Sequence, residues 1–387
     1  MICLRLARTL GPAVAGIAFT SLSLSGAANA ATARTQTVPI SATARPVTAY
    51  IASTSGVVIP IRGTTAGAPI QTGSNTRAIA ITPNGKTAYV LDGDAGTVTP
   101  INTATNIAGR PIKSGNFPQA IVITPNGKTA YVANYDSNTV TPINTATNTA
   151  GRPIEVGDGP NSIAITPNGK TVYVVSLFSA TVTPIDTDTN TAGRPIEVAA
   201  EPGLIAITPN GKTAYVTNNA ENTVTPIDTA TNTAGPLITV GHFPYAIAIT
   251  PNGKTAYVGN NGSYTVTPIN TATNTPGAPI RTGISPFAIA ITPNSKTAYV
   301  TNNGFYMQPS DTVTPIDTTT NTAGRPIKTG AGPADIAITP DGKTAYVVNY
   351  LAATVSSIDT ATNTAGPPIV SNFLAAAIAV MPRHCQR

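Results

Sequence analysis

The sequence predicts an all-β fold: a β-propeller of four-stranded antiparallel blades, eight in number, closed into a ring by both termini. Three observations predict it. Tyrosines recur at positions 50, 89, 131, 173, 215, 257, 299 and 346, spaced 39, then 42 five times, then 47. A period near 42 means one supersecondary unit per repeat. Within each repeat, four short runs of alternating apolar residues are separated by turn residues, and no window has helical periodicity. Finally, the ends are complementary. The chain enters at Thr48-Ala-Tyr-Ile, which reads as a second strand, and leaves at Ala377-Ile-Ala-Val-Met-Pro, a first strand. Pairing the two completes a blade and leaves no open ring edge. A seven-bladed ring with a loose terminal unit is the alternative, and a degenerate first strand at Val38–Ser41 complicates the count.

Residues 1–30 read as a secretory signal: Arg5 and Arg8, an apolar stretch over residues 10–24, and the small-residue site Ala28-Asn29-Ala30. The apolar stretch is short and rich in Gly, Ser and Pro, so it does not predict a membrane span. Residues 31–47 read as a flexible leader, 48–382 as the propeller and 383–387 as a tail. Cys3 leaves with the signal, so Cys385 has no partner and the mature chain depends on its core, not on disulfides. The expected location is secreted, extracellular or associated with the cell envelope. Loss of Arg5 and Arg8 takes the formal charge from +6 to +4, and basic residues are spread through the repeats, not clustered in one stripe. That distribution predicts no nucleic-acid partner.

One repeat illustrates the elements in order. Ile205-Ala-Ile-Thr is the first strand, and Pro-Asn-Gly-Lys is the turn, with Asn-Gly as the hairpin signal. Thr213-Ala-Tyr-Val is the second strand. Thr223-Val-Thr-Pro-Ile is the third, and Gly235-Pro-Leu-Ile begins the fourth. Proline recurs in the third strand at Pro60, Pro100, Pro142, Pro184, Pro226, Pro268 and Pro315. It cannot donate to a ladder, so it must face a bulge or gap in a short, weak outer strand.

Tyr215-Val216-Thr217-Asn218 and Tyr299-Val300-Thr301-Asn302 spell a tetrad with near copies at Tyr131, Tyr257 and Tyr346. With Ile-Ala-Ile-Thr-Pro-Asn-Gly-Lys before it and Thr-Val-Thr-Pro-Ile-Asp after it, the chain resembles the YVTN-repeat β-propellers over residues 48–380. The resemblance implies a secreted or surface-layer protein that works as a binding module. Relatives of the same architecture include lactonases and quinoprotein-type dehydrogenases, so it does not exclude an enzyme.

Comparing the repeats locates the variable part. Strands and Pro-Asn-Gly-Lys turns barely change, whereas the second-to-third loops and the links between blades do. Both kinds of loop follow an even-numbered strand and therefore share one face, the variable face. Apart from Phe19 and the repeat tyrosines, every aromatic is expected in those loops: Phe117, Tyr135, Phe178, Phe243, Tyr245, Tyr264, Phe287, Phe305, Tyr306, Tyr350 and Phe373. Aromatics so placed can stack on sugars or grip a peptide, or can plug the channel mouth. The candidate ligand-binding residues are Phe117, Tyr135, Phe178, Phe243, Tyr245, Phe287, Phe305, Tyr306 and Tyr350, with a cell-envelope polymer, a glycan or a protein as ligand. The opposite face carries a lysine in each hairpin turn, from Lys86 to Lys343.

The sequence offers little for catalysis. His242 is the sole histidine of the propeller region, no G-x-S-x-G elbow occurs, and tryptophan is absent. Asp92, Asp94, Asp136 and Asp158 are the candidate set for Ca²⁺ or Mg²⁺; otherwise no cofactor is expected. Three classes follow: a secreted binding module, a metal-dependent lactonase-like or lyase-like enzyme, and a structural envelope component.

Overall fold

The computed structural model describes residues 47–305 and 308–382. The signal, the leader up to residue 46, the segment at residues 38–41 and the tail lie outside the described residues, whereas Val47, read as the end of the leader, is buried in the core between blades 1 and 2. Eight antiparallel sheets form eight blades, and neighbouring inner strands touch around the ring. The count is therefore eight, not seven. Blade 1 joins the two ends: Ala49–Ser53 pairs with Val57–Arg62 on one side and with the C-terminal strand Ala375–Val380 on the other. The inner strands of blades 2 to 8 are Thr76–Ile81, Pro118–Ile123, Pro160–Ile165, Pro202–Ile207, Pro244–Ile249, Pro286–Ile291 and Pro333–Ile338.

The core lies between blades. Tyr131, Ala133, Val140 and Ile154 of blade 3 pack against Ile163, Val172, Val174 and Ile185 of blade 4. Equivalent clusters join the other neighbours, so burial is a nearest-neighbour property repeated round the ring. The repeat tyrosines carry this interface. Each ring is buried, and its hydroxyl crosses to the next blade's third-to-fourth turn. Tyr131 donates to Asn190 Oδ1 at 2.7 Å and Tyr215 to Asn274 Oδ1 at 2.6 Å. These asparagines sit at φ near 55°, a left-handed conformation that asparagine tolerates. Burial pushes the phenols of Tyr131 and Tyr215 up to about 12. Tyr346 closes the circle by donating to Gly63 O of blade 1 at 2.8 Å.

The third-strand prolines face a gap, as their chemistry requires. The fourth strand is split into two short pieces, Thr149–Ala150 and Ile154–Glu155 in blade 3, both paired with Thr139–Asn144. Opposite Pro142, Gly151 N–H donates to the proline carbonyl at 2.7 Å. N and C=O of one extended residue point the same way, so the missing N–H of Pro142 faces this gap. A Cβ on Gly151 would lie 3.1 Å from Pro142 Cγ, which explains the invariant glycine.

The Asn-Gly turns differ from a two-residue hairpin. In Thr124-Pro-Asn-Gly only Gly127 has positive φ, at 71°, and its N–H donates to Thr124 O at 2.7 Å. Proline at the second position with a left-handed residue at the fourth gives a type I turn followed by a bulge. Asn126 Oδ1 secures it by accepting from Thr124 Oγ1 and Lys128 N–H.

Candidate functional site

The asparagine of the YVTN tetrad is structural. Asn218 is fully buried and donates to Thr223 Oγ1 at 3.0 Å and Thr225 Oγ1 at 2.8 Å, fastening the second strand to the third. Asn302 does the same in blade 7, and its Oδ1 accepts Gly283 N–H from the preceding link at 3.0 Å. Asp92 stands in this position in blade 2. Its carboxylate accepts Ser74 N–H at 2.9 Å and Ala95 N–H at 3.1 Å.

Two of the other three candidate metal residues are similarly occupied. Asp94 accepts from Asn75 Nδ2 at 2.7 Å and Asp158 from Asn138 Nδ2 at 2.8 Å, while Asp136 is exposed. Among the described residues no three His, Cys, Asp or Glu side chains converge. A hard cation collects six to eight oxygens. Asp92, Asp94 and Asp158 instead hold loop donors. His242 is exposed in the link to blade 6, where its backbone N–H meets Ser263 Oγ at 2.6 Å.

The candidate aromatics fall into two groups. Phe117, Tyr135 and Phe178 form an arc over blades 2 to 4, with ring centroids 6.1 and 5.8 Å apart. The Arg77 guanidinium lies 4.6 Å from the Phe117 centroid, and burial holds it below its ordinary value against the pull of Asp94 and Tyr350. Phe178 is 64% exposed, and a Cβ at Gly159 would meet it at 2.8 Å. Tyr245 and Phe287 form the second group, 4.7 Å apart and tilted by 30°. Burial raises the Tyr245 phenol. Phe243, 44% exposed, belongs to neither group, and Tyr350 is half-buried in the blade 8 loop. Phe305 ends the lengthened strand Thr297–Phe305 and pairs with Gln308; Tyr306 lies outside the described residues.

Tyr245 and Phe287 are not loop residues, as the sequence led us to expect, but the second residues of their inner strands. The reason is a β-bulge present in all eight blades, where the inner strand gains one residue immediately after its start. The bulged residues are Arg77, Gln119, Asn161, Gly203, Tyr245, Phe287, Ala334 and, in blade 1, Ala376. They rim the axis on the variable face, and bulges commonly re-aim side chains at functional sites. The repeat alignment could have found them, because this residue differs in almost every copy.

A second irregularity concerns the links. The residue before each inner strand's first residue in blades 2 to 8 has positive φ. Gly159, Gly332, Asn75, Glu201 and Ser285 occupy five of these positions, but Phe117 and Phe243 occupy two, at 53° and 54°. A bulky residue there costs roughly 1–2 kcal/mol, and such outliers concentrate at functional sites.

Two overlapping matches to one family model, described as lactonase, 7-bladed beta-propeller, cover residues 62–193 and 144–280. Together they span more than half of the chain, which belongs to this family of β-propellers, here with eight blades. No curated protein matches. Solved structures that resemble it include hydrazine synthase of Kuenenia stuttgartiensis, at 24% identity and a TM-score of 0.61, covering 74% of this chain and 96% of that one. A functionally unknown protein from Desulfotomaculum acetoxidans is 17% identical with a TM-score of 0.63, covering 77% and 99%. The dihydro-heme d1 dehydrogenase NirN is 13% identical with a TM-score of 0.73, covering 88% and 76%. At these identities the likeness concerns the fold. Among the described residues no helix is long and apolar enough to cross a membrane.

Proposed function

We propose that the protein is a secreted or envelope-associated binding module whose variable face engages a cell-envelope polymer, glycan or protein. The observation that carries this reading is the pair of phenylalanines held in left-handed links, Phe117 and Phe243. Packing gives little reason for such strain at Phe243, which is 44% exposed. Phe178 presents a second exposed ring on the same face. Replacing Phe178 and Phe243 together with alanine is expected to weaken retention on isolated envelope material about tenfold or more, as for two exposed anchors. The melting temperature should stay within roughly 2 °C, because neither ring belongs to an inter-blade core. A large melting shift with unchanged retention would assign the rings to packing.

The family description favours lactone hydrolysis as the second reading. It requires a base at the variable face, and His242 is the histidine available there. We expect no turnover of simple lactones above background with or without added Ca²⁺ or Mg²⁺. Turnover that co-purifies with the protein and vanishes in His242→Ala would establish the enzyme instead.

A further inference from the structure

We propose that the variable face over blades 2 to 5 is the docking surface for a basic, arginine-bearing segment of another protein, held by the Phe117–Tyr135–Phe178 arc and the carboxylates beside it. The proposal rests on the binding-module reading and names the partner for that face. Charge is the first observation. No lysine or arginine occurs in any second-to-third loop or inter-blade link between residues 54 and 374. Asp94, Asp136, Asp158, Glu201 and Glu221 follow one another in those segments from blade 2 to blade 5. Asp94 faces Arg77, but among the described residues the other four meet no lysine or arginine at ion-pair distance. Across the ring, Asp311 of blade 7 is already paired with Lys328 at 3.4 Å. The unbalanced negative charge is thus confined to one sector.

The rings stand among these carboxylates. Asp94, Asp136 and Phe178 occupy the same position in consecutive loops, two residues beyond Asp92, Asn134 and Ser176, which end their strands. Phe178 N–H donates to Asp158 O at 3.1 Å, and Asp136 N–H donates to the carbonyl of Asn116, next to Phe117, at 3.3 Å. Burial, and after it the Asp136 carboxylate, raise the Tyr135 phenol. Phe178 is 64% exposed, and the side chains of Asp136 and Asp158 are exposed as well. The arc itself shows what such a ring accepts, because the Arg77 guanidinium lies 4.6 Å from the Phe117 centroid. A guanidinium is attracted by the ring's quadrupole, and a carboxylate nearby adds to the pull. Arginine serves both at once, since its planar group stacks on aromatic faces and pairs with carboxylates. A neutral sugar would cover the carboxylates without a counter-charge, and an anionic polymer would be repelled. The chain as a whole carries a formal charge of +6, so attraction of a cationic partner must come from this sector and not from net charge.

The test is titration of the full chain with hexa-arginine, with hexa-lysine and hexa-glutamate as comparators, measured by calorimetry at low and at physiological salt. Saturable binding to hexa-arginine is expected, weaker binding to hexa-lysine and none to hexa-glutamate, with affinity falling as salt is raised. Phe178→Ala should weaken hexa-arginine binding about fivefold or more. Asp136→Asn should weaken it about threefold. That variant removes an exposed charge and should fold as the parent does. Asp188→Asn, the same change on the opposite face, should alter binding less than about twofold, because solvent and salt screen it at that distance. Absence of saturable hexa-arginine binding overturns the proposal. So does equal binding by the parent, Phe178→Ala and Asp136→Asn, or an equal loss in Asp188→Asn. Envelope retention that chitotriose releases and hexa-arginine does not would assign the face to a glycan and overturn it too. If hexa-arginine fails while retention persists and depends on Phe178 and Phe243, the basic partner falls and the binding-module reading stands. If retention is absent as well, both fall.

Discussion

Deletion of residues 375–387 is expected to destroy the cooperative fold or to lower the melting temperature by on the order of 10 °C or more. The strand Ala375–Val380 is the inner strand of blade 1, supplied from the far end of the chain. It pairs with Ala49–Ser53 and contributes to two inter-blade cores: Ala375 and Ile378 pack with Ile51, Val57 and Val348, while Ala377 packs with Tyr50 and Ala88. Met381 N–H adds a bond to Thr48 O at 2.9 Å. Removing the strand therefore uncovers apolar surface on blades 8 and 2 as well as on blade 1. It also leaves a free strand edge in a ring that otherwise has short, protected ones. Circular dichroism melts and size-exclusion chromatography would measure the effect. Ile378→Asp, which introduces a charge into the same core without shortening the chain, should lower stability in the same direction. Unchanged melting of the truncated chain would show that the closing strand contributes nothing.

The architecture was legible because each blade repeats the same local instructions. Tyr131, Tyr173 and Tyr215 keep their spacing, and the termini carry complementary strand patterns. The gap beside Pro142 also followed from chemistry, since a residue without an N–H cannot sit opposite a continuous strand. What the tyrosine hydroxyl does was not legible. Its partner is an asparagine about 59 positions onward, in the next blade, as with Tyr131 and Asn190. Pairing across a blade boundary leaves no local signal. The tetrad asparagine was likewise ambiguous, because burial against Thr223 and Thr225 and exposure at a loop read alike in sequence. The candidate site was half legible. The sequence identified the face and its aromatics, but it assigned Tyr245 and Phe287 to loops because nothing in strand alternation announces a bulge.

At neutral pH, Asp335→Ala is expected to stabilise the protein, and the gain should shrink as the pH falls. Asp335 sits on the inner strand of blade 8, where Ala120, Ala246, Ala288 and Ala377 occupy the matching register positions. Its carboxylate accepts Ile336 N–H at 2.8 Å and Ile378 N–H of the closing strand at 3.0 Å. Enclosure of the carboxylate outweighs both bonds and pushes its pKa from 3.8 to about 6. The folded protein thus retains this proton between roughly pH 4 and 6, where an unfolded chain has released it. The contribution to stability is greatest below the unfolded value and is lost as the pH rises through the folded one. Complete loss amounts to on the order of 3 kcal/mol. Asp186, Asp228, Asp317 and Asp359 behave oppositely: hydrogen bonds from their turn residues, Thr189, Thr231, Thr320 and Thr362 respectively, hold them below the usual range, so they favour folding as the pH rises. These four are common to parent and variant. The difference between the two denaturant midpoints at pH 7.5 and pH 4.5 therefore isolates Asp335. Alanine should be the more stable residue at pH 7.5, with most of its advantage gone at pH 4.5. A difference that does not change with pH would mean that Asp335 is ionised in the folded ring over the whole range, and that its contact with the closing strand stabilises it more than burial opposes it.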